Sequence, residues 1–448
     1  MRILQSLLLI LLFCLPAAMP AMAAEGDADA DAVAIATRLL DHMQAGEYEA
    51  ASADFSPQMK DALGVDKLAA VQAQLAAAGA ETGRDAPVVS EQSGMTVVVI
   101  RIHREHADID ATIAVDGEGK VAGLHYAPAA APAAAAPAVD ADAVYVESDF
   151  TVGSGERALP GTLAMPKDAS ADAPVPAVVL VHGSGPHDRD ESIGPNRPFL
   201  DIARGLAAQG IAVLRYDKRS KARPQDYADG SVTIDSETTN DAVFAVAALR
   251  EAPGIDPARV YVLGHSQGAM MAPRIAARSG HVAGLVLLAA PARPLLDILV
   301  EQNIRLAVLD DANTSDEEAA AIAKLRGQVA AIRAGGDVAD TDTPLQQPVD
   351  YWRSTDAVDP VAEAKAVGLP MLVLQGAQDI QVVDADWQRW KAGFHDDPEV
   401  EFKLYPTLNH LGIAVEGEPG LAQYAQAGHV DPALIADVAE WIHAQDAD

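Results

Sequence analysis

Cysteine is nearly absent from this 448-residue chain, Cys14 being the single one. Disulfide scaffolds, thiolate zinc sites and iron–sulfur clusters are thereby excluded. Basic residues are scarce as well, 32 Lys and Arg against 65 Asp and Glu, for a formal net charge of −33. A field of that sign repels phosphate backbones and anionic lipid, which disfavours nucleic acid and membrane surfaces as partners. Aromatic residues make up only 4% of the chain and leave little to grip a lipid interface. No collagen-like or solenoid period is visible. Hydrophobic side chains, by contrast, are half of all residues, enough for the cores of two or three domains.

The longest apolar run near the start, Leu7 to Leu15, follows the positive Arg2 and precedes Pro16. At ~1.5 Å per residue it spans roughly 14 Å, about half of a bilayer's hydrocarbon core. It therefore reads as the hydrophobic region of a signal peptide covering residues 1–23, with Ala21-Met22-Ala23 as the cleavage site. A lipid anchor on Cys14 is the competing reading, opposed by the bulky Phe13 and the later Ala-Met-Ala site. The expectation is an exported protein, periplasmic or secreted, with no membrane span.

Residues 127–138, APAAAPAAAAPA, offer nothing large to pack, and their prolines block helix formation. They read as an interdomain linker over 127–140. Before it, residues 25–126 show apolar positions at helical spacing through Val33, Ala36, Leu39, Leu40 and Met43, and a second helical stretch over Lys67–Ala78. Strand-like segments follow at Met95–Ile102, Ile109–Val115 and Val121–Tyr126, with Asp116-Gly117 as a hairpin turn. Helices first and a small sheet after make an α+β domain. His103-Arg104-Glu105-His106 could suggest a metal pair; an exposed hairpin end is the simpler reading.

From about 141 to 448 strands alternate with helices, the mark of a mostly parallel sheet in an α/β domain. Strands are expected at Val144–Phe150, Gly161–Met165, Ala177–His182, Ile211–Tyr216, Arg259–Leu263, Gly284–Ala289, Met371–Gln375 and Glu401–Tyr405. The first two should pair antiparallel. Helices are expected at Phe199–Ala208, Thr238–Glu251, Gln267–Arg278, Ala385–Phe394 and Pro432–Ala444. Residues 292–369 are too many for one crossover. With helical stretches at Leu295–Leu309 and Asp316–Ala334, a helical cap is expected at about 292–350.

The segment Val260–Gly268 contains G-x-S-x-G at Gly264, Ser266 and Gly268, between an apolar strand and a helix, with His265 inside the turn. Such an elbow thrusts the serine hydroxyl above the sheet, and the helix N-terminus behind it favours developing negative charge. Pro273, inside that helix, should kink it or shift its start. A serine hydroxyl is too weak an acid to attack a carbonyl unaided, so a base and an orienting acid must follow. Asp379 stands in the turn after one later strand and His410 after the next. Asp384 and Asp386 compete with Asp379, but N-capping is their simpler role. His395, His429 and His443 follow no core strand and read as surface residues. At the end of another strand, His182-Gly183-Ser184-Gly185-Pro186 would bring a backbone N–H to a substrate oxyanion. Ser184 is the favoured donor there and Gly185 the alternative, acting with the N–H of Gln267. His187-Asp188-Arg189-Asp190-Glu191 could be taken for a metal site; its charges more simply pair with one another or with Arg215 and Lys218. No metal or cofactor is called for.

His182–Glu191, Ile193–Phe199, Arg215–Arg219 and Gly264–Gly268 together resemble HGSGP-x-DRDE, IGPN-x-PF, RYDKR and GHSQG of bacterial carboxylesterases. These belong to the serine-aminopeptidase-like branch of the α/β-hydrolases, some of which carry a small N-terminal domain of unknown function. The resemblance implies an eight-stranded sheet, a Ser266–Asp379–His410 triad and activity on small acyl esters. An exopeptidase, an acyltransferase, a lipase, or an envelope binding protein acting through its first domain remain the alternatives. Oligomeric state is not addressed by the sequence.

Overall fold

The structure, a computed structural model, describes residues 27–92, 95–105, 107–129, 136–227, 230–308, 313–417 and 420–445. The expected signal peptide over residues 1–23, Cys14, His106 and much of the Ala/Pro stretch lie outside them. The described residues form two compact units, one within 27–129 and one from 136 onward.

In the first unit α1 (Asp27–Ala45) places Ala32, Ala36, Leu39, Leu40 and Met43 on one buried stripe. The stripe joins a core with Val98, Ile100, Ile102, Ala111 and Ile113 from a five-stranded antiparallel sheet. Three helical segments follow α1: α2 (Tyr48–Ala51), α3 (Pro57–Ala62) and α4 (Val65–Leu75). The strands are β1 (Glu81–Arg84), β2 (Val88–Gln92), β3 (Met95–Arg104), β4 (Ile109–Val115) and β5 (Val121–Pro128). β3 lies at the centre, paired with β1, β2 and β4. α2, α3, β1 and β2 escape the sequence pattern: they are four to six residues long and show no clear period. β5 also takes in Ala127 and Pro128, the first two residues of the expected linker. His103 pairs with Asp85 and Asp108 at 2.9 and 3.0 Å. Arg104, expected to be exposed, is buried and donates to the carbonyls of Leu75 and Gly79.

The second unit is built on eight strands: β6 (Tyr145–Val152), β7 (Leu159–Pro166), β8 (Val175–Val181), β9 (Ala212–Tyr216), β10 (Ile255–His265), β11 (Leu285–Leu288), β12 (Met371–Gly376) and β13 (Val400–Tyr405). Their spatial order is β13-β12-β11-β10-β8-β9-β7-β6. β6 and β7 form an antiparallel pair, β7 is antiparallel to β9, and the rest are parallel. Alternation along the strands divides the core in two. Val178, Leu180, Tyr261, Leu263, Val286 and Leu288 face α5 (Pro198–Ala207) and α14 (Pro432–Ala444). Val179, Val181, Val260, Val262, Leu285 and Leu287 face the opposite helical layer. Both faces are covered, so the central strands read as continuous apolar runs and not as alternation.

The other helices are α6 (Arg219–Ala222), α7 (Asn240–Arg250), α8 (Gln267–Ser279), α9 (Leu295–Ala307), α10 (Asp316–Ala334), α11 (Val349–Asp356), α12 (Pro360–Val367) and α13 (Asp384–Phe394). A π-helical turn, Asp235–Thr239, leads into α7. Between β11 and β12, α9 and α10 fall where the cap was expected, and α11 is a third member packed against both. Its sequence, VDYWRSTD, is polar on average and gave little helical signal.

Candidate active site

The site is assembled at the C-terminal ends of the parallel strands. β10 runs out at His265, α8 begins at Gln267, and Ser266 between them has φ 52° and ψ −119°. This is a conformation that residues with a Cβ rarely adopt. The strain is thus carried by Ser266 itself, while the flanking glycines permit close approach. A Cβ on Gly264 would lie 2.4 Å from the Gly268 carbonyl, and one on Gly268 only 2.0 Å from the Val181 carbonyl. α8 therefore starts in direct backbone contact with the end of β8. Pro273 lies inside α8 without moving its start.

Asp379 and His410 are brought together. His410 Nδ1 lies 2.8 Å from Asp379 Oδ2. Oδ2 also accepts from Gln375 Nε2, while Oδ1 accepts from the N–H groups of Gln381 and Val382. An ionised carboxylate can only accept, so Nδ1 carries the hydrogen, and in the neutral imidazole it is then Nε2 that presents the lone pair. Among the described residues neither Nε2 of His410 nor the Ser266 hydroxyl has a hydrogen-bond partner. His265, next to Ser266, stacks obliquely on His410 with ring centroids 4.7 Å apart and Nε2 2.9 Å from the His410 carbonyl. The loop holding His410 is braced by Asn409, whose Oδ1 accepts from Leu411 and Ile413.

The loop after β8 supplies the third part. The N–H of Gly183 is taken by the Glu191 carboxylate at 2.6 Å. The N–H groups of Ser184, Gly185 and Gln267 have no partner among the described residues. Gly185 has φ 103°, which a Cβ would strain. The Ser184 hydroxyl donates to Gln267 Oε1 at 2.7 Å and so ties the loop to the first turn of α8. His182 is buried and His187 half-buried. Burial lowers both pKa values, that of His182 to about 3, and their Nε2–H groups donate to the carbonyls of Asp188 and Ser184.

The charges of residues 187–191 are matched one by one. Arg189 pairs with Asp217, and Asp190 with Arg215. Asp188 accepts from the N–H groups of Asp190 and Ser192. Glu191 meets His265, Nδ1 lying 3.0 Å from Oε2. Burial would push the Glu191 carboxyl up, but the adjoining imidazole holds it at about 2; burial likewise disfavours charge on His265, and Glu191 outweighs it, so that pKa is raised. Lys218, expected to pair with this loop, instead joins Glu237 and the Gly183 carbonyl. Asp384 and Asp386 do not cap α13, whose N-cap is Val383; Asp386 is fully buried against Arg293 and the N–H groups of Ala292 and Arg293. His395, His429 and His443 are on the surface.

Sequence reasoning missed the Glu191–His265 pair, the Lys218–Glu237 pair and Tyr351 of α11, whose hydroxyl is 3.0 Å from Gln267 Oε1. The one available signal was their position in motifs dense in ionisable residues. No group of His, Asp, Glu or Cys arranged to hold a metal ion occurs among the described residues, and no described helix is long and apolar enough to cross a membrane.

A mostly parallel eight-stranded sheet covered on both faces, with a strained serine at a strand-to-helix elbow and a His–Asp pair at the next strand ends, defines an α/β-hydrolase. Residues 172–416, more than half of the chain, match the family described as serine aminopeptidase, S33, and the chain belongs to that family. Residues 36–124 match a family of unknown function, DUF3887. Esterase EstD of Thermotoga maritima is 35% identical over 407 residues, covering 90% of this chain and 93% of that protein. Among solved structures, Est1E from Butyrivibrio proteoclasticus is 16% identical, spans 67% of this chain and 99% of its own, and superposes with a TM-score of 0.43. The Pyrococcus furiosus esterase Pf2001 is also 16% identical, over 70% of this chain and 96% of its own, with a TM-score of 0.44.

Proposed function

We propose that the chain is a carboxylesterase that cleaves small acyl esters through an acyl-enzyme on Ser266. The observation that carries this reading is the orientation of His410. Its Nδ1–H is committed to Asp379, which leaves Nε2 without a protein partner among the described residues, and its ring packs against that of His265, the residue before Ser266. His410 takes the proton of Ser266 as the oxygen attacks the ester carbonyl, and Asp379 stabilises the imidazolium that forms. N–H groups of Gln267 and of Ser184 or Gly185 receive the oxyanion. Collapse expels the alcohol with the proton from His410. Water, deprotonated by the same imidazole, then releases the acid. The relationship to Esterase EstD supports an ester over an amide substrate.

Ser266→Ala is expected to abolish hydrolysis of a short-chain ester and labelling by a fluorophosphonate probe, with thermal stability nearly unchanged. Labelling that persists in this variant would show that another residue is the nucleophile. Higher rates on an aminoacyl amide than on an acyl ester would favour the exopeptidase reading.

A further inference from the structure

Behind the loop Gly183–Gly185 lies a buried ion pair that the acyl-transfer steps do not use. Lys218, in the turn after β9, is 2% exposed; its Nζ is 2.7 Å from Glu237 Oε1 and 2.7 Å from the Gly183 carbonyl. Glu237 stands on the π-helical turn before α7, a local irregularity that aims its carboxylate inward. Its Oε2 accepts from Gln267 Nε2 at 3.0 Å and Thr238 Oγ1 at 2.6 Å. The other end of the Gln267 amide accepts from Ser184 Oγ and Tyr351. Lys218, Glu237, Gln267 and Ser184 thus form one closed path that returns to the peptide on which it began.

That peptide is the Gly183–Ser184 unit. It is planar and trans, so the Gly183 carbonyl and the Ser184 N–H point in opposite directions. An ammonium on the carbonyl fixes the rotation of the plane. It also draws electron density toward the carbonyl oxygen and leaves the Ser184 N–H a stronger donor. Glu191 holds the preceding N–H, so the chain is clamped on both sides of Gly183. A buried ion pair is seldom more stabilising than an apolar pair of the same volume, which leaves stability a weak reason for this one.

We propose that Lys218, neutralised by Glu237, is a positioning residue for the oxyanion hole, setting the direction and donor strength of the Ser184 N–H through the Gly183 carbonyl. The Gln267 side chain keeps that donor in register with the Gln267 N–H. This rests on the esterase reading above and selects Ser184 over Gly185.

The test is the double variant Lys218→Met/Glu237→Gln, which removes both charges together and leaves neither buried alone, compared with the parent at equal numbers of fluorophosphonate-titrated sites. Loss of one oxyanion donor costs about 100- to 1000-fold. Misaiming one should lower kcat per site by about 10- to 100-fold with KM little changed. The dissociation constant of an arylboronic acid, which forms a tetrahedral adduct on the serine, should rise by the same factor. A merely structural clamp would lower the number of titratable sites and leave both per-site quantities within threefold of the parent, which would overturn the proposal. Should the variant not fold, the crystal structure of the unmodified enzyme's fluorophosphonate adduct decides. A phosphonyl oxygen on the Ser184 N–H, with Lys218 still on Gly183, supports the proposal; one directed elsewhere overturns it. Adduct formation at a residue other than Ser266 would instead overturn the esterase mechanism itself.

Discussion

Glu191 is a fully buried carboxylate on a backbone with φ 51°, and it touches two of the loops that frame the site. One oxygen holds Gly183, the other faces His265, and His265 reaches on to the His410 carbonyl. Removing one partner of such a pair leaves the other buried and unmatched, a loss of about 3–5 kcal/mol. Its pH dependence follows from the two pKa shifts. The Glu191 value falls from 4.5 to about 2, so its contribution is fully present above 4.5 and is lost as the pH drops toward 2. The His265 value is raised from 6.5, so its contribution is present below 6.5 and is lost as the pH rises through the folded-state value. Glu191→Gln should therefore be most destabilising between about pH 4.5 and 6.5, with the gap to the parent closing on either side. Urea denaturation of both proteins across pH 3 to 9 measures this. A gap that stays constant with pH would mean that the pair is not charged.

At the scale of elements, the elbow depends on how close α8 comes to β8. Gly268→Ala would set a methyl 2.0 Å from the Val181 carbonyl and 2.6 Å from that of His182. Backbone cannot yield as a flexible side chain does, so α8 must move, taking Ser266 and the Gln267 N–H with it. A loss of about 1–3 kcal/mol in stability and at least about 100-fold in ester hydrolysis is expected. A variant with parental activity would show that this contact does not set the elbow. The same elements show what a sequence makes legible. The central strands of the second unit were readable because they carry buried runs, and Ser266, Asp379 and His410 became candidates because each ends or follows a strand. The Lys218–Glu237 and Glu191–His265 pairs were not: they join residues from different turns, and only folding decides which acid meets which base. Asp386 was misread for the same reason, since its partner Arg293 lies 93 residues away. β1 and β2 gave no signal because edge strands of four or five residues, partly exposed, have no period to display.

On the scale of the whole molecule, each unit has a core of its own. That of the first joins α1 to β3 and β4; those of the second lie on the two faces of the eight-stranded sheet. Every group of the proposed acyl transfer, and every group proposed to position one, lies in the second unit, from Gly183 to His410. A protein beginning at residue 139 should therefore fold and hydrolyse a short-chain ester within about tenfold of the full chain, that is within ~1.4 kcal/mol in barrier. Urea unfolding of the shortened protein should reproduce the transition assigned to the second unit in the parent, because its cores have lost none of their residues. The first unit, which matches DUF3887 over residues 36–124, would then act on something other than the chemical step. If the shortened protein folds but loses activity on every ester by several orders of magnitude, the first unit is part of the catalytic apparatus and this division of labour is wrong.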